Sequence, residues 1–226
     1  MALKATIYKA DLNIANMDVH QYGDYQLTMA LHPSETIERL MVRILAFARY
    51  ADEALEFTKD LFETDEPALW EKDLTGQLIK WIEVGCPDED KVKKASARCK
   101  QVAIIAYGSS VDEWYKRNSK IKTLNNVEVW QLSQASTEAI QALCERTMQL
   151  QLNVMDGEWT LITGTGDRLA ARLGMVAAEY DRSYYGPAFK LLDDPGACDR
   201  IGPTAKPMIQ RLIGMGGDTK ALTQSQ

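Results

Sequence analysis

The chain is poor in the residues that build metal clusters and covalent catalysts. It has two histidines, His20 and His32, and four cysteines, Cys86, Cys99, Cys144 and Cys198, in 226 residues. The cysteines are far apart and form no Cys-x-x-Cys pair. That argues against a zinc site and a disulfide scaffold and points to a reducing, cytoplasmic setting. There is no Gly-x-Ser-x-Gly elbow, and two histidines leave no visible Ser or Cys triad. Gly164-Thr165-Gly166 lacks the third glycine of a dinucleotide loop, and no strand–loop–helix unit with a downstream acid follows it. Charges interrupt Met1–Asp11, so the start does not read as a signal peptide. The apolar run Val102–Tyr107 is far short of the ~20 residues that cross a bilayer, and no membrane partner is expected.

What is present is a core and a segregated charge. Hydrophobic residues make up 46% of the chain, enough for one good-sized domain or a domain with an appendage. The net charge of −6 argues against non-specific wrapping of nucleic acid. Residues 52–90 hold 13 acids and 3 bases, whereas residues 91–122 hold 9 bases and only Asp112 and Glu113 as acids. An acidic block beside a basic block suits a metal-plus-phosphate surface, and equally two differently solvated faces.

The junction of the two blocks, Asp73–Lys94, organises the reading. An apolar strand over 78–84 carries one embedded carboxylate, Glu83. A turn at Gly85-Cys86-Pro87 follows, and then a helix that begins acidic and becomes basic. A strand-end carboxylate with an aspartate upstream and a lysine downstream is what a Mg²⁺-dependent phosphodiesterase needs. Carboxylates hold the hard cation, and a lysine offsets charge on the phosphate or the nucleophilic water. The same stretch also fits an edge strand with a solvated glutamate and an ordinary helix start.

The elements around it are read from periodicity and turn chemistry. Lys4–Ile14 and Tyr25–Leu31 form a hairpin. A helix follows with Ser34 as N-cap, Glu35 and Glu38 at its positive end, and Ile37, Leu40, Met41, Ile44, Leu45 and Ala48 on one face, with Arg39 and Arg43 elsewhere around it. Leu55–Thr58 reads as a short strand, Asp60–Pro67 as an acidic loop and Ala68–Glu71 as a helical turn. Pro87-Asp88-Glu89-Asp90 starts a helix to about Lys100. Val102–Tyr107 is a strand buried on both faces, and Val111 to about Ile121 a helix. Val127–Leu132 is a strand, and Ser136 starts a helix to about Arg146. Thr147–Val154 and Trp159–Thr163 are paired through the turn at Asp156-Gly157. The order implies an α/β or α+β domain, a mixed sheet flanked by helices.

From Gly164 the chain changes character. Residues 164–226 hold nine of the 14 glycines and four of the seven prolines. A helix is expected at Arg168–Glu179, and the rest reads as a loosely held, partly disordered extension.

Along about the first 160 residues stand, in order, Met1–Ala10, His32-Pro33-Ser34-Glu35-Thr36 with Glu38-Arg39, Tyr50-Ala51-Asp52-Glu53, Asp65-Glu66-Pro67, Trp81-Ile82-Glu83 with Gly85, Pro87-Asp88-Glu89, Lys93-Lys94-Ala95, and Arg146-Thr147-Met148 with Leu150-Gln151. Together these pieces resemble the YaeQ family of bacterial proteins. The resemblance implies a variant of the restriction-endonuclease-like PD-(D/E)XK nuclease fold over residues 1–163, with 164–226 outside it. It also implies a Mg²⁺ site built from Asp73 and Glu83, with Asp60 as the alternative upstream acid. Glycine stands at 85, where the superfamily's lysine belongs, so the lysine would come from the following helix as Lys93 or Lys94, with support from Glu38. The expected function is metal-dependent phosphodiester hydrolysis. The alternative is a non-catalytic, transcription-associated module that binds DNA, RNA or a protein partner. Lys91, Lys94, Arg98, Lys116 and Arg117 are the candidate nucleic-acid contacts. Trp114 and Tyr115 serve either base stacking or helix anchoring.

Overall fold

The computed structural model describes residues 5–59, 63, 65–155 and 158–175, all within the first of two units, Met1–Val176. Asp60, the Asp156-Gly157 turn, Cys198 and most of the 164–226 segment lie outside the described residues. Ten strands are seen among the described residues: β1 (Thr6–Asn16), β2 (Gln21–Leu31), β3 (Leu55–Phe57), β4 (Leu69–Lys72), β5 (Leu78–Val84), β6 (Gln101–Tyr107), β7 (Val127–Leu132), β8 (Thr147–Met155), β9 (Glu158–Thr163) and β10 (Arg168–Met175). Four α-helices accompany them, α1 (Ile37–Arg49), α2 (Glu89–Arg98), α3 (Val111–Arg117) and α4 (Gln134–Ala142), with a 3₁₀ turn at Ser119–Thr123. The fold is mixed α+β.

The strands run in the order β2-β1-β8-β9-β10-β7-β6-β5-β4-β3. β10 joins two halves. Its Arg168–Arg172 pairs antiparallel with β9, and its Leu173–Met175 pairs antiparallel with β7. A strand shared in this way turns the corner between two sheets. The helix expected at Arg168–Glu179 is therefore a strand over Arg168–Met175. The tight turn at Gly164–Asp167, where Gly166 has φ +91°, folds it back on β9, and β7 offers an open edge. Local hairpin geometry overrides the helical spacing of Leu169 and Leu173. Ala68–Glu71 is likewise corrected: it enters β4, whose hairpin with β5 satisfies its backbone.

α1 lies inside the curl. Every residue from Leu40 to Ala48 is buried. The sequence shows an amphipathic helix, but strands of both sheet halves contribute to one core around it, including Leu12, Met29, Leu69, Ile82, Ile105, Leu150 and Leu161. Each fully buried Leu or Ile contributes about 2 kcal/mol. Arg43 is buried with the rest, and its Nη1 lies 3.0 Å from Glu35 Oε1. Thr36, not Ser34, caps α1: its Oγ1 accepts from Arg39 N at 3.1 Å. The later cap leaves Glu35 outside the helix, where its carboxylate meets Arg43. α4 also starts earlier than expected, with Ser133 as cap, and α3 ends at Arg117 before the 3₁₀ turn.

Candidate functional site

The site sits where β5 ends and α2 begins. β5 is no edge strand: it runs parallel to β6 and antiparallel to β4. Strand alternation puts Trp81 and Glu83 on the face covered by α2, and Ile82 and Val84 on the face covered by α1. Two residues apart on one face, Trp81 and Glu83 meet, and Trp81 Nε1 donates to Glu83 Oε1 at 2.8 Å. The Glu83 side chain is 3% exposed. Gly85 has φ +97°, a conformation that an L side chain rarely adopts, and there the chain turns away from the sheet. α2 then returns over the strand end. Lys91 Nζ lies 2.9 Å from Glu83 Oε1 and 3.1 Å from Oε2, and donates to Glu66 O at 2.9 Å. Trp114 Nε1 donates to Pro87 O at 2.8 Å, pinning the β5–α2 turn to α3.

Lys91, rather than Lys93 or Lys94, therefore meets Glu83. Lys93 Nζ is bound 2.6 Å from Glu89 Oε1 and 3.6 Å from Asp90 Oδ1. That hydrogen bond with Glu89 raises the Lys93 pKa and lowers that of Glu89. Lys94 is exposed and lines a cavity of about 620 Å³ together with Asp65, Asp88, Glu89, Asp90, Lys91, Arg117 and Asn118. Lys116 is exposed on α3, and Arg117 reaches Glu113 at 3.5 Å. Arg98 lies over the Trp81 ring at 5.8 Å. Trp114 and Tyr115 are buried, which makes them anchors of α3 rather than stacking platforms.

Asp73 is not brought to Glu83. It follows β4 in the turn before β5, and its Oδ1 accepts from Thr75 N, Thr75 Oγ1 and Gln77 N. These bonds, the Thr75 hydroxyl first, lower its pKa. Five residue steps of β5 separate Leu78 from Glu83, roughly 16 Å of strand, whereas one Mg²⁺ reaches its ligands at about 2.1 Å. The register pairs Leu69 with Ile82, so the stretch just before Leu69 faces Glu83. Asp65 lines the cavity beside Lys91. The turn signal at Thr75-Gly76 and the length of β5 hold that register in outline, but Asp60–Pro67 reads only as loop. Glu38 is in the first turn of α1, close enough to Tyr107 to raise its pKa alongside burial, the larger cause.

Among the described residues no three His, Cys, Asp or Glu side chains are placed to hold a metal ion. Both Glu83 oxygens carry donors, and the paired lysine neutralises the carboxylate. The residues present do not fit a resident Mg²⁺ held by Asp73 and Glu83.

A buried carboxylate that ends a central strand and is closed by a helix lysine, on a mixed sheet curled around one helix, defines a class of α+β protein. The chain belongs to the YaeQ family, whose model, described as YaeQ protein, matches residues 1–171. The uncharacterized protein YaeQ of Escherichia coli (strain K12) is 44% identical over 159 residues, covering 70% of this chain and 88% of that protein. The Salmonella typhi protein of the same description is 43% identical over 159 residues, with the same coverage of each chain. Crystal structures of YaeQ proteins align closely. That from Xanthomonas axonopodis pv. citri has a TM-score of 0.74 and 40% identity, covering 77% of this chain and 99% of that one. That from Pseudomonas syringae has a TM-score of 0.73 and 35% identity, covering 77% and 97%.

No helix among the described residues is long and apolar enough to cross a membrane. Cys86, Cys99 and Cys144 are free thiols.

Proposed function

We propose that the chain is a nucleic-acid-binding module on a restriction-endonuclease-like fold, acting in the cytoplasm, in which the catalytic position has closed into an ion pair. The observation that carries this reading is the Glu83–Lys91 pair, with the Trp81 indole on the same carboxylate. A carboxylate already neutralised and buried does not collect a hard cation. Beside it, Lys94 on α2 and Lys116 and Arg117 on α3 are exposed, and they supply the charge that a phosphate backbone selects by counterion release. The free thiols accord with the cytoplasmic setting. A protein partner in place of nucleic acid is the other binding outcome.

A second reading is metal-dependent hydrolysis. It is favoured by the same pair, because a lysine supplied from the following helix is the arrangement by which such a fold dispenses with a lysine at position 85. One assay separates the readings. Fluorescein-labelled single-stranded and duplex DNA and RNA are titrated with the full chain at 25–200 mM salt, with Mg²⁺ or Mn²⁺, and products are run on a gel. The binding reading expects salt-dependent anisotropy that weakens at least tenfold in Lys94→Glu/Lys116→Glu/Arg117→Glu, with intact oligonucleotide. Absence of binding at low salt overturns it. A metal-dependent product that disappears in Glu83→Gln replaces it with hydrolysis.

A further inference from the structure

The two terminal strands of the sheet, β2 and β3, line one cleft of about 360 Å³. Its walls are Tyr25–Thr28 of β2 and Leu55–Phe57 of β3, and Phe47 of α1 lies between them. Three aromatic rings tie the edges together. Tyr25 meets Phe47 edge-on at 5.3 Å, and Phe47 stacks on Phe57 at 5.6 Å. Among the described residues the curl of the sheet around α1 is thus open at this seam, which aromatic rings line.

Among the described residues no strand pairs with the outer edge of β2. Soluble proteins blunt free edges with short strands, prolines, lysines or bulges. β3 is blunted by its length of three residues. β2 is eleven residues long, contains neither Pro nor Lys, and keeps one register with β1 from end to end. Its two ends are secured: Arg43 Nη1 donates to Ala30 O at 3.4 Å, and Gln21 Nε2 donates to Ala51 O at 2.5 Å. The bond at Ala30 shows which backbone groups point off the edge. By alternation, those of Gln26 and Thr28 do so too, in the middle of the strand and in the wall of the cleft. The rim adds charge of one sign, since Asp52, Glu53 and Glu56 are all exposed there.

We propose that this seam receives an extended basic peptide segment of another protein, added as a strand against the free backbone edge of β2 at Gln26 and Thr28. Main-chain bonds to β2 give affinity. Alternate apolar side chains rest on the half-buried Tyr25 and Phe57, which Phe47 supports from beneath, and the intervening basic side chains meet Asp52, Glu53 and Glu56. This surface is separate from the Glu83–Lys91 site and does not depend on how that site is read.

The test uses the full chain and a labelled eight-residue peptide of alternating lysine and valine, followed by fluorescence anisotropy. Controls are an alternating glutamate–valine peptide and two lysine–valine peptides N-methylated on one or the other set of alternate amides. The expected result is saturable binding of the basic peptide and at least a tenfold loss on methylation of one set but not the other. A similar loss is expected in Glu53→Lys/Glu56→Lys and in Gln26→Pro, whose outward N–H takes no part in the β1 ladder. No binding of the basic peptide overturns the proposal. So does equal binding by all peptides, or by both methylated forms, which would mean a charged surface without strand addition. A chain that is dimeric without peptide and monomeric as Gln26→Pro also overturns it, because a second copy then fills the seam.

Discussion

Glu83 Oε1 accepts from Trp81 Nε1 at 2.8 Å and lies 2.9 Å from Lys91 Nζ, so one buried oxygen is shared by a neutral and a charged donor. Removing the charged one leaves a carboxylate stranded among apolar groups. Lys91→Met is expected to cost about 3 kcal/mol of stability, and Glu83→Gln less, because an amide still bonds to the indole. The double variant Lys91→Met/Glu83→Gln should be more stable than Lys91→Met alone. Urea unfolding of the four proteins measures this cycle. If the two single losses simply add, the pair is not coupled and the ion pair has no structural role.

Arg43 and Glu35 make the second buried pair, and it is more deeply enclosed, with side chains 3% and 2% exposed. Arg43 also lies over the Phe57 ring at 5.3 Å and reaches Ala30 O, so it ties α1 to both terminal strands. Arg43→Met is expected to lose roughly 3 kcal/mol, because it leaves buried Glu35 with only the longer Arg39 Nε contact at 3.9 Å and the His32 N–H at 3.3 Å. Arg43→Met/Glu35→Leu should regain most of that loss, since a well-packed apolar pair avoids desolvating two charges. Thermal unfolding monitored by circular dichroism separates the outcomes. A double variant no better than Arg43→Met would mean that the contacts to Phe57 and Ala30, not the charge, account for the loss.

Under the proposed restriction-endonuclease-like reading, Gly85 holds the position that would carry a lysine. Its φ is +97°, and a Cβ there would lie 3.4 Å from Arg39 Nη1, the group that donates to Val84 O. Gly85→Lys is therefore expected to destabilise by ~1–3 kcal/mol from backbone strain and to confer no phosphodiesterase activity. Gly85→Asn, which tolerates positive φ better, should lose less. Unfolding midpoints and a Mg²⁺ cleavage assay on the same samples check both. Cleavage gained by Gly85→Lys would mean that Arg39 yields its place and that the site needs only the missing cation.

Legibility followed the range of the interaction that decides each element. β5 and β7 could be bounded from their sequences because each is a short, strand-favouring run flanked by turn residues. β4 and β10 could not. Leu69–Lys72 and Arg168–Met175 carry helix-compatible spacing, and only a partner strand brought by a turn makes them strands. α1 reads as amphipathic, and nothing local tells that β1, β2, β8 and β9 come back to cover its second face. The site divides in the same way. Glu83 at a strand end and its contact with Trp81 follow from alternation. The choice of Lys91 over Lys93 depends on the angle at which α2 leaves Gly85, and the distance of Asp73 depends on the hairpin register.

Cys99 offers a readout of how α2 is seated on the sheet. Burial pushes its thiol up from 9.0 to about 11, with the Arg98 charge opposing, and Sγ lies 2.7 Å from Ala95 O. A raised thiol pKa favours the protonated, folded form, so this contribution to stability is complete below pH 9.0 and is lost as pH rises toward about 11. Only the thiolate reacts, so at pH 8 alkylation of Cys99 in the native chain should run about a hundredfold slower than in urea. Peptide mapping after timed iodoacetamide treatment, with Cys86→Ser and Cys144→Ser to simplify the map, measures the rate. Neutralising Arg98 as Arg98→Gln should slow it further, because the cation stabilises the thiolate. If Cys99 reacts at the unfolded rate at pH 8, the C-terminal turn of α2 is open in solution. The helix that carries Lys91 would then hold Glu83 less firmly than the 2.9 Å contact implies.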